Sequence, residues 1–171
     1  MQDVANAIAI GNPTTTEGKK MKKWTALLVT GIVLISTFSA MAADRANDND
    51  AVAMVKKAAA HYKAAGASAY ADFTAPSQKF VDRDLYITAY DMDGNCLAHA
   101  QNIKLVGKNL MNMKDPDGVP FIKNRIELAK QNRTFWQDYK FTDPLTKEVL
   151  PKKVYCETVG ATVICGGVYK Q

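Results

Sequence analysis

The chain has 171 residues, 47% of them hydrophobic and 23% charged, with a net charge of +5, three cysteines and two histidines. That length suits one ordinary domain. A mild positive charge scattered among acids excludes a nucleic-acid-binding face, and no two Cys or His residues stand at the close spacing of a zinc site.

Residues 19–43, KKMKKWTALLVTGIVLISTFSAMAA, run from four lysines through an apolar stretch, Trp24 to Phe38, to Ala40-Met41-Ala42. Basic segment, apolar core and small-x-small site define a secretory signal peptide over 21–43. The mature chain is expected to begin at Ala43 or Asp44. Residues 1–20 read as an extension from a start codon placed upstream of Met21, with no structural role. The expected location is the bacterial periplasm; the alternative is an uncleaved signal anchored in the inner membrane. Removing 1–43 leaves 18 basic and 15 acidic residues over 44–171, a net charge of +3.

In the exported part, NDNDAVAMVKKAAAHYKAAG offers Asn/Asp caps, an apolar stripe of Val52, Val55, Ala59 and Tyr62, and Gly66 as a stop, which predicts an amphipathic helix. ASAYADF adds a short helical turn before Pro76. From Asp84 the period changes to two, with Leu85, Ile87 and Ala89 alternating against Tyr86, Thr88 and Tyr90, and DMDGN turns the chain into a second strand. A long connection follows, then a helix from Gly118 to Gln131 capped by Asp115 or Asp117, with Ile122, Ile126 and Ala129 on its stripe. TFWQDYKF, EVLPKKVYCETV and ATVICGGVYK are three closing strands. Hairpin-joined strands with segregated helices define an α+β fold with an antiparallel sheet.

If Gly160 and Ala161 are the central turn residues of the last hairpin, Cys156 faces Cys165 at a non-hydrogen-bonded position, where a disulfide is geometrically allowed. Three cysteines leave one unpaired, and pairing with Cys96 is the rival scheme. The two Asp-x-Asp-Gly turns lack the later oxygen ligands of a calcium loop. No CxxCH haem site, catalytic triad or phosphate loop is present, so no cofactor, metal or catalytic residue is expected and the protein is read as a non-enzyme. A cysteine nucleophile would need a low-pKa thiol. What stands out is aromatic residues interleaved with a cation on the strands: Tyr86, Tyr90, Trp136, Tyr139, Lys152 and Tyr155 suit a small anion. The contrary reading is an ordinary sheet with solvated lysines.

YDMDGNCLAHAQNIKLVGKNLMNMKDPDGVPFIK, FWQDYKFTDPLTKEVLPKKVYCE and CGGVYK resemble, in order, the stand-alone exported single Cache domains, over about residues 48–170. The resemblance implies a PAS-like fold, with a long N-terminal helix packed on a curved antiparallel sheet of about five strands and a pocket on the other face. It also implies an extracytoplasmic small-molecule sensor, often of carboxylates. Trp136 and Tyr139 match the family's W-x-x-Y, Lys152 and Tyr155 its P-K-x-x-Y, and His99, Asn102 and Lys108 its A-H…N…G-K-N-L. Two departures are Phe141 for a usual Trp and an extra glycine, Gly167, which fits a bulge. Trp136 and Tyr139, like Lys152 and Tyr155, are three apart, so on regular strands only one of each pair faces the pocket.

The expected ligand-binding set is therefore Tyr90, His99, Trp136, Tyr139, Lys152 and Tyr155. The domain, a monomer or weak dimer, is expected to bind a carboxylate-like ligand and to act through a membrane receptor, kinase or transport component. The alternative is an envelope protein–protein interaction module whose pocket is filled by its own side chains.

Overall fold

The computed structural model describes residues 44–74 and 79–170; the signal-peptide and upstream-extension readings lie outside the described residues. Helix α1, Asp48–Ala65, opens with a capping box. The Asn47 side chain accepts from the N–H groups of Asn49 and Asp50, and the Asp50 carboxylate accepts from the Asn47 N–H. These bonds occupy amides that the first helical turn leaves without partners. Gly66 ends the helix at φ +60°, as expected. Its buried stripe is Ala51, Val55, Ala58 and Ala59; Val52, expected on it, is half-buried. Small side chains let the helix lie close to the sheet, and a Cβ on Gly166 would stand 3.0 Å from Val55 Cγ2. Helix α2, Ala69–Thr74, is the short turn expected before Pro76, and it buries Phe73 beside Phe80.

Six strands among the described residues form one antiparallel sheet: β1 Val81–Asp82, β2 Leu85–Asp91, β3 Cys96–His99, β4 Thr134–Thr142, β5 Val149–Val159 and β6 Thr162–Tyr169. The order is β1-β2-β6-β5-β4, with β3 also pairing β2. The strand beyond the expected five is the two-residue β1.

Helix α3, Phe121–Gln131, starts later than expected, and neither Asp115 nor Asp117 caps it; Pro120 holds the cap position. Gly118 at φ +81° keeps the preceding segment out of the helix. Asp115 instead accepts from the N–H groups of Asp117, Val119 and Lys140, tying the connection to β4.

The closing hairpin has the expected register. Val159 pairs Thr162 around Gly160-Ala161, Cys156 faces Cys165, and a disulfide joins them while Cys96 stays a buried free thiol. The extra glycine makes no bulge, because the β5–β6 pairing runs unbroken to Lys152 and Tyr169. Gly167 serves packing: a Cβ there would fall 2.2 Å from Val154 Cγ1. The irregularity lies in β3, where Ala89 pairs Ala98 but Tyr90 pairs Cys96, leaving Leu97 as an extra residue. That bulge turns Cys96 to the face opposite Ala98.

The sheet separates two cores. One, against α1 and α2, gathers Val55, Ala58, Phe73, Phe80, Ile87 and Ile164. The other, against α3, gathers Tyr90, Phe121, Ile122, Ile126, Val163 and the disulfide.

Candidate functional site

Strand parity sorts the polar and aromatic residues. On β2, Leu85, Ile87 and Ala89 go to the α1 side, which leaves Tyr86, Thr88 and Tyr90 for the α3 side. The β4–β5 ladder is unbroken, pairing Tyr139 with Lys152 and Trp136 with Tyr155. Tyr139 packs with the α3-side core, while Trp136 and Tyr155 sit together on the α1 side, ring centroids 5.2 Å apart. Of the six expected ligand-binding residues, Tyr90, His99, Tyr139 and Lys152 share the α3 face, and Trp136 and Tyr155 do not.

Lys152 is 2% exposed and its ammonium lies in a box of rings, 3.8 Å from the Tyr86 centroid, 4.5 Å from Tyr169 and 5.9 Å from Phe141. Among the described residues its one hydrogen bond goes to the Tyr169 hydroxyl at 3.2 Å. That hydroxyl donates to the Thr142 carbonyl at 2.7 Å, so its oxygen is the acceptor for Lys152. Burial, then the charge of Arg125, holds the Lys152 ammonium well below its usual range, although Asp84 and Asp143 pull the other way.

His99, 2% exposed, lies at the end of β3 with its ring 5.3 Å from Tyr86, and its Nδ1 accepts from the Asn102 N–H. The proton of the neutral ring is thereby assigned to Nε2. Burial, with Lys152 and Arg125 nearby, pushes its pKa down to about 3.

Arg125 was not among the expected residues. It is fully buried on α3 with its guanidinium carbon 5.1 Å from the Tyr139 ring centroid, 5.2 Å from Tyr90 and 5.7 Å from Phe121. Nε donates to Gln137 Oε1 at 2.9 Å, while Nη1 and Nη2 make no hydrogen bond of good geometry among the described residues, although the Tyr139 and Tyr90 hydroxyls lie close enough to act on them. Burial opposes its charge, yet the phenols of Tyr139 and Tyr90 leave the guanidinium above its ordinary value. The signal was present in the sequence: Ile122, Arg125, Ile126 and Ala129 follow the i, i+3, i+4, i+7 spacing of a buried stripe, with one charge inside it. Neither Arg125 nor Lys152 makes an ion pair among the described residues. Buried cations without a carboxylate are rare because the desolvation cost is uncompensated.

Two clefts approach this box. One of about 200 Å³ is lined by Tyr86, His99, Phe141, Thr142 and Asp143, and one of about 270 Å³ by Tyr139, Lys140, Lys152 and Lys170 together with three carboxylates, Asp115, Asp117 and Asp138. Cys96 is a poor nucleophile, since burial pushes its thiol up to about 11. Both Asp-x-Asp-Gly carboxylates serve turns: Asp91 accepts from Asp93 and Asn95, as Asp115 does from its own loop. Among the described residues no group of three or more His, Cys, Asp or Glu is placed to hold a metal, and no helix is long and apolar enough to cross a membrane.

A long helix on one face of an antiparallel sheet, with cations and aromatic rings on the other, defines a PAS-like α+β domain. The chain belongs to the Single Cache domain 2 family, whose model matches residues 16–169. Among solved structures it is similar to a methyl-accepting chemotaxis protein from Vibrio parahaemolyticus RIMD 2210633, 23% identical, covering 71% of this chain and 86% of that one at a TM-score of 0.62. It is also similar to a Cache chemosensory domain described for carboxylic acid recognition, 20% identical over 72% of this chain and 92% of that one, TM-score 0.61. A third likeness is the periplasmic sensor domain of a chemotaxis protein, 18% identical over 72% and 90%, TM-score 0.57. At these identities the likeness is one of fold. None of the curated proteins matches the chain.

Proposed function

We propose that the protein is a periplasmic sensor domain that binds a small carboxylate on the α3 face of its sheet, between Arg125 and Lys152. One observation carries the reading. Two buried basic side chains share an aromatic face, Arg125 has two guanidinium nitrogens with no hydrogen bond of good geometry among the described residues, and no carboxylate of the described residues pairs with either side chain. A planar carboxylate supplies two acceptors in the geometry of a guanidinium fork. Tyr90 and Tyr139 wall the Arg125 end, Tyr86 and Phe141 the Lys152 end, and His99 Nε2 offers a neutral donor. Membership of the Cache family supports the sensor role, and the Cache chemosensory domain described for carboxylic acid recognition supports the ligand class. The bound state would be read by a membrane receptor, kinase or transport component, and no catalytic step is assigned to the protein.

A thermal-shift screen of full-chain protein against small carboxylates, amines, amino acids and purines tests this. A ligand at about 100 times its Kd adds about 2.7 kcal/mol of stability. Stabilisation by carboxylates that is weakened in Lys152→Ala and disappears in Arg125→Met supports the site. A flat response from well-folded protein favours the second reading, a docking module. That reading draws on the packing: Tyr139 stacks on Phe121 at 4.4 Å and Arg125 is fully covered, so the face is filled by its own side chains.

A further inference from the structure

We propose that anion binding at this site loads a proton onto Lys152, so that the domain takes up the anion and one proton together and responds to acidity as well as to concentration. The inference rests on the carboxylate site proposed above. Its ground is an imbalance of donors. An ammonium carries three N–H donors, and among the described residues Lys152 Nζ has one acceptor, the Tyr169 oxygen. The ring faces attract the ammonium, but burial, the charge of Arg125 and two donors without acceptors among the described residues favour the neutral amine.

Every element packed around Lys152 bears on its proton. Strand β2 presents Tyr86, β3 presents neutral His99, β4 presents Tyr139 and β6 presents Tyr169, and the cleft at Lys152 is also lined by Asp115, Asp117, Asp138, Lys140 and Lys170. Helix α3 presents Arg125, whose positive charge opposes a second one nearby. Asp84 and Asp143 favour the charge from the end of the sheet. Their oxygens are already held: Asp84 by Arg45, Ala46 N–H and Tyr169 N–H, and Asp143 by Arg45, Leu145 N–H and the Thr146 hydroxyl. Burial and Arg125 together keep the ammonium well below its usual range.

A carboxylate seated against Arg125 cancels the opposing charge and gives Lys152 an anion and a second acceptor. Both changes favour the ammonium. The proton comes from solvent and ends on Nζ; no bond of the ligand changes. By linkage, affinity rises as pH falls across the window between the Lys152 pKa of the empty site and that of the filled site, by up to about tenfold per pH unit.

The test is a titration of full-chain protein with sodium propionate in unbuffered salt, at starting pH values from about 6 to about 9. Calorimetry reads binding and a glass electrode reads protons. Propionate is itself ionised throughout, so it contributes no proton change at the alkaline end. The expected result is a rise in solution pH on binding, approaching one proton per site within part of the range. Lys152→Met, an apolar residue of similar length, should still bind through Arg125, more weakly and without uptake. Binding with no uptake at any pH, or uptake that persists in Lys152→Met and so belongs to His99, overturns the inference while leaving the anion site standing. Failure of propionate, pyruvate and succinate to bind at every pH removes the anion site and this inference with it.

Discussion

Lys152 and Tyr169 meet across the last two strands through a 3.2 Å hydrogen bond, in a register where they are direct cross-strand partners. The pair ties the charged box to the C-terminal end of β6, whose backbone N–H at Tyr169 bonds Asp84. Its energetics point in an unusual direction, because a buried lysine either carries a charge without a counter-ion or gives up its proton, and both cost stability in the absence of ligand.

Lys152→Met is therefore expected to leave the unliganded domain as stable as before or more so, by up to about 2 kcal/mol. Urea denaturation of the two proteins checks this. Lys152→Ala, which leaves a cavity as well, should fall below Lys152→Met by about 1–3 kcal/mol. A marked loss in Lys152→Met would show that the ammonium is held by more than Tyr169.

Arg125→Leu removes the fork and strands Gln137, whose Oε1 accepts from Nε while its Nε2 donates to the Phe121 carbonyl. A loss of about 1–3 kcal/mol from the unpaired Gln137 is expected, together with loss of anion binding. Pairing Arg125→Leu with Gln137→Leu should recover part of the stability and none of the binding. Denaturation and calorimetry on the single and double variants separate the two.

His99 makes stability depend on pH. Its folded pKa of about 3 lies below the ordinary 6.5, so the unfolded chain binds the proton first. Stability is fully present above about pH 6.5 and declines as pH falls from there toward 3, by a few kcal/mol in all. Asp143, held below its usual value chiefly through Arg45 against the effect of burial, adds a loss at the acid end of the same window. Chemical denaturation in steps from pH 7 to pH 4 should show the decline, and His99→Asn should flatten its upper part.

Reducing the Cys156–Cys165 bond, which closes a separation of nine residues, should cost about 2–3 kcal/mol. A lowered melting temperature in reductant checks this. Cys96 should resist thiol reagents until the protein unfolds, since it is buried and its thiol is raised to about 11.

The elements most readable in the sequence were those with strong local punctuation. Asn47 with Asp50, Gly66, and the Gly160-Ala161 turn each act within a few residues, and α1 and the closing register followed from them. The α3 start was misread because Asp115 has two competing uses, and the one realised depends on Lys140, twenty-five residues away. The split of Trp136 and Tyr155 from Tyr139 and Lys152 was readable as a parity rule, but only the α3 packing decides which pair meets Arg125. Arg125 itself was hidden in plain view, since a charge in an apolar stripe reads as a stripe edge until its neighbours are known. The Leu97 bulge left no local mark.

Asp84 receives the Ala46 N–H through one oxygen and the Tyr169 N–H through the other, so a single fully covered carboxylate clasps the entry and the exit of the folded domain. A fold fastened this way behaves as a closed ring with a removable break. Joining Lys170 to Asp44 by a short linker and reopening the chain at the exposed Gly160-Ala161 turn should give a permuted protein with the same sheet. Such a ring can also be set into a host loop as a cassette, its two ends already side by side.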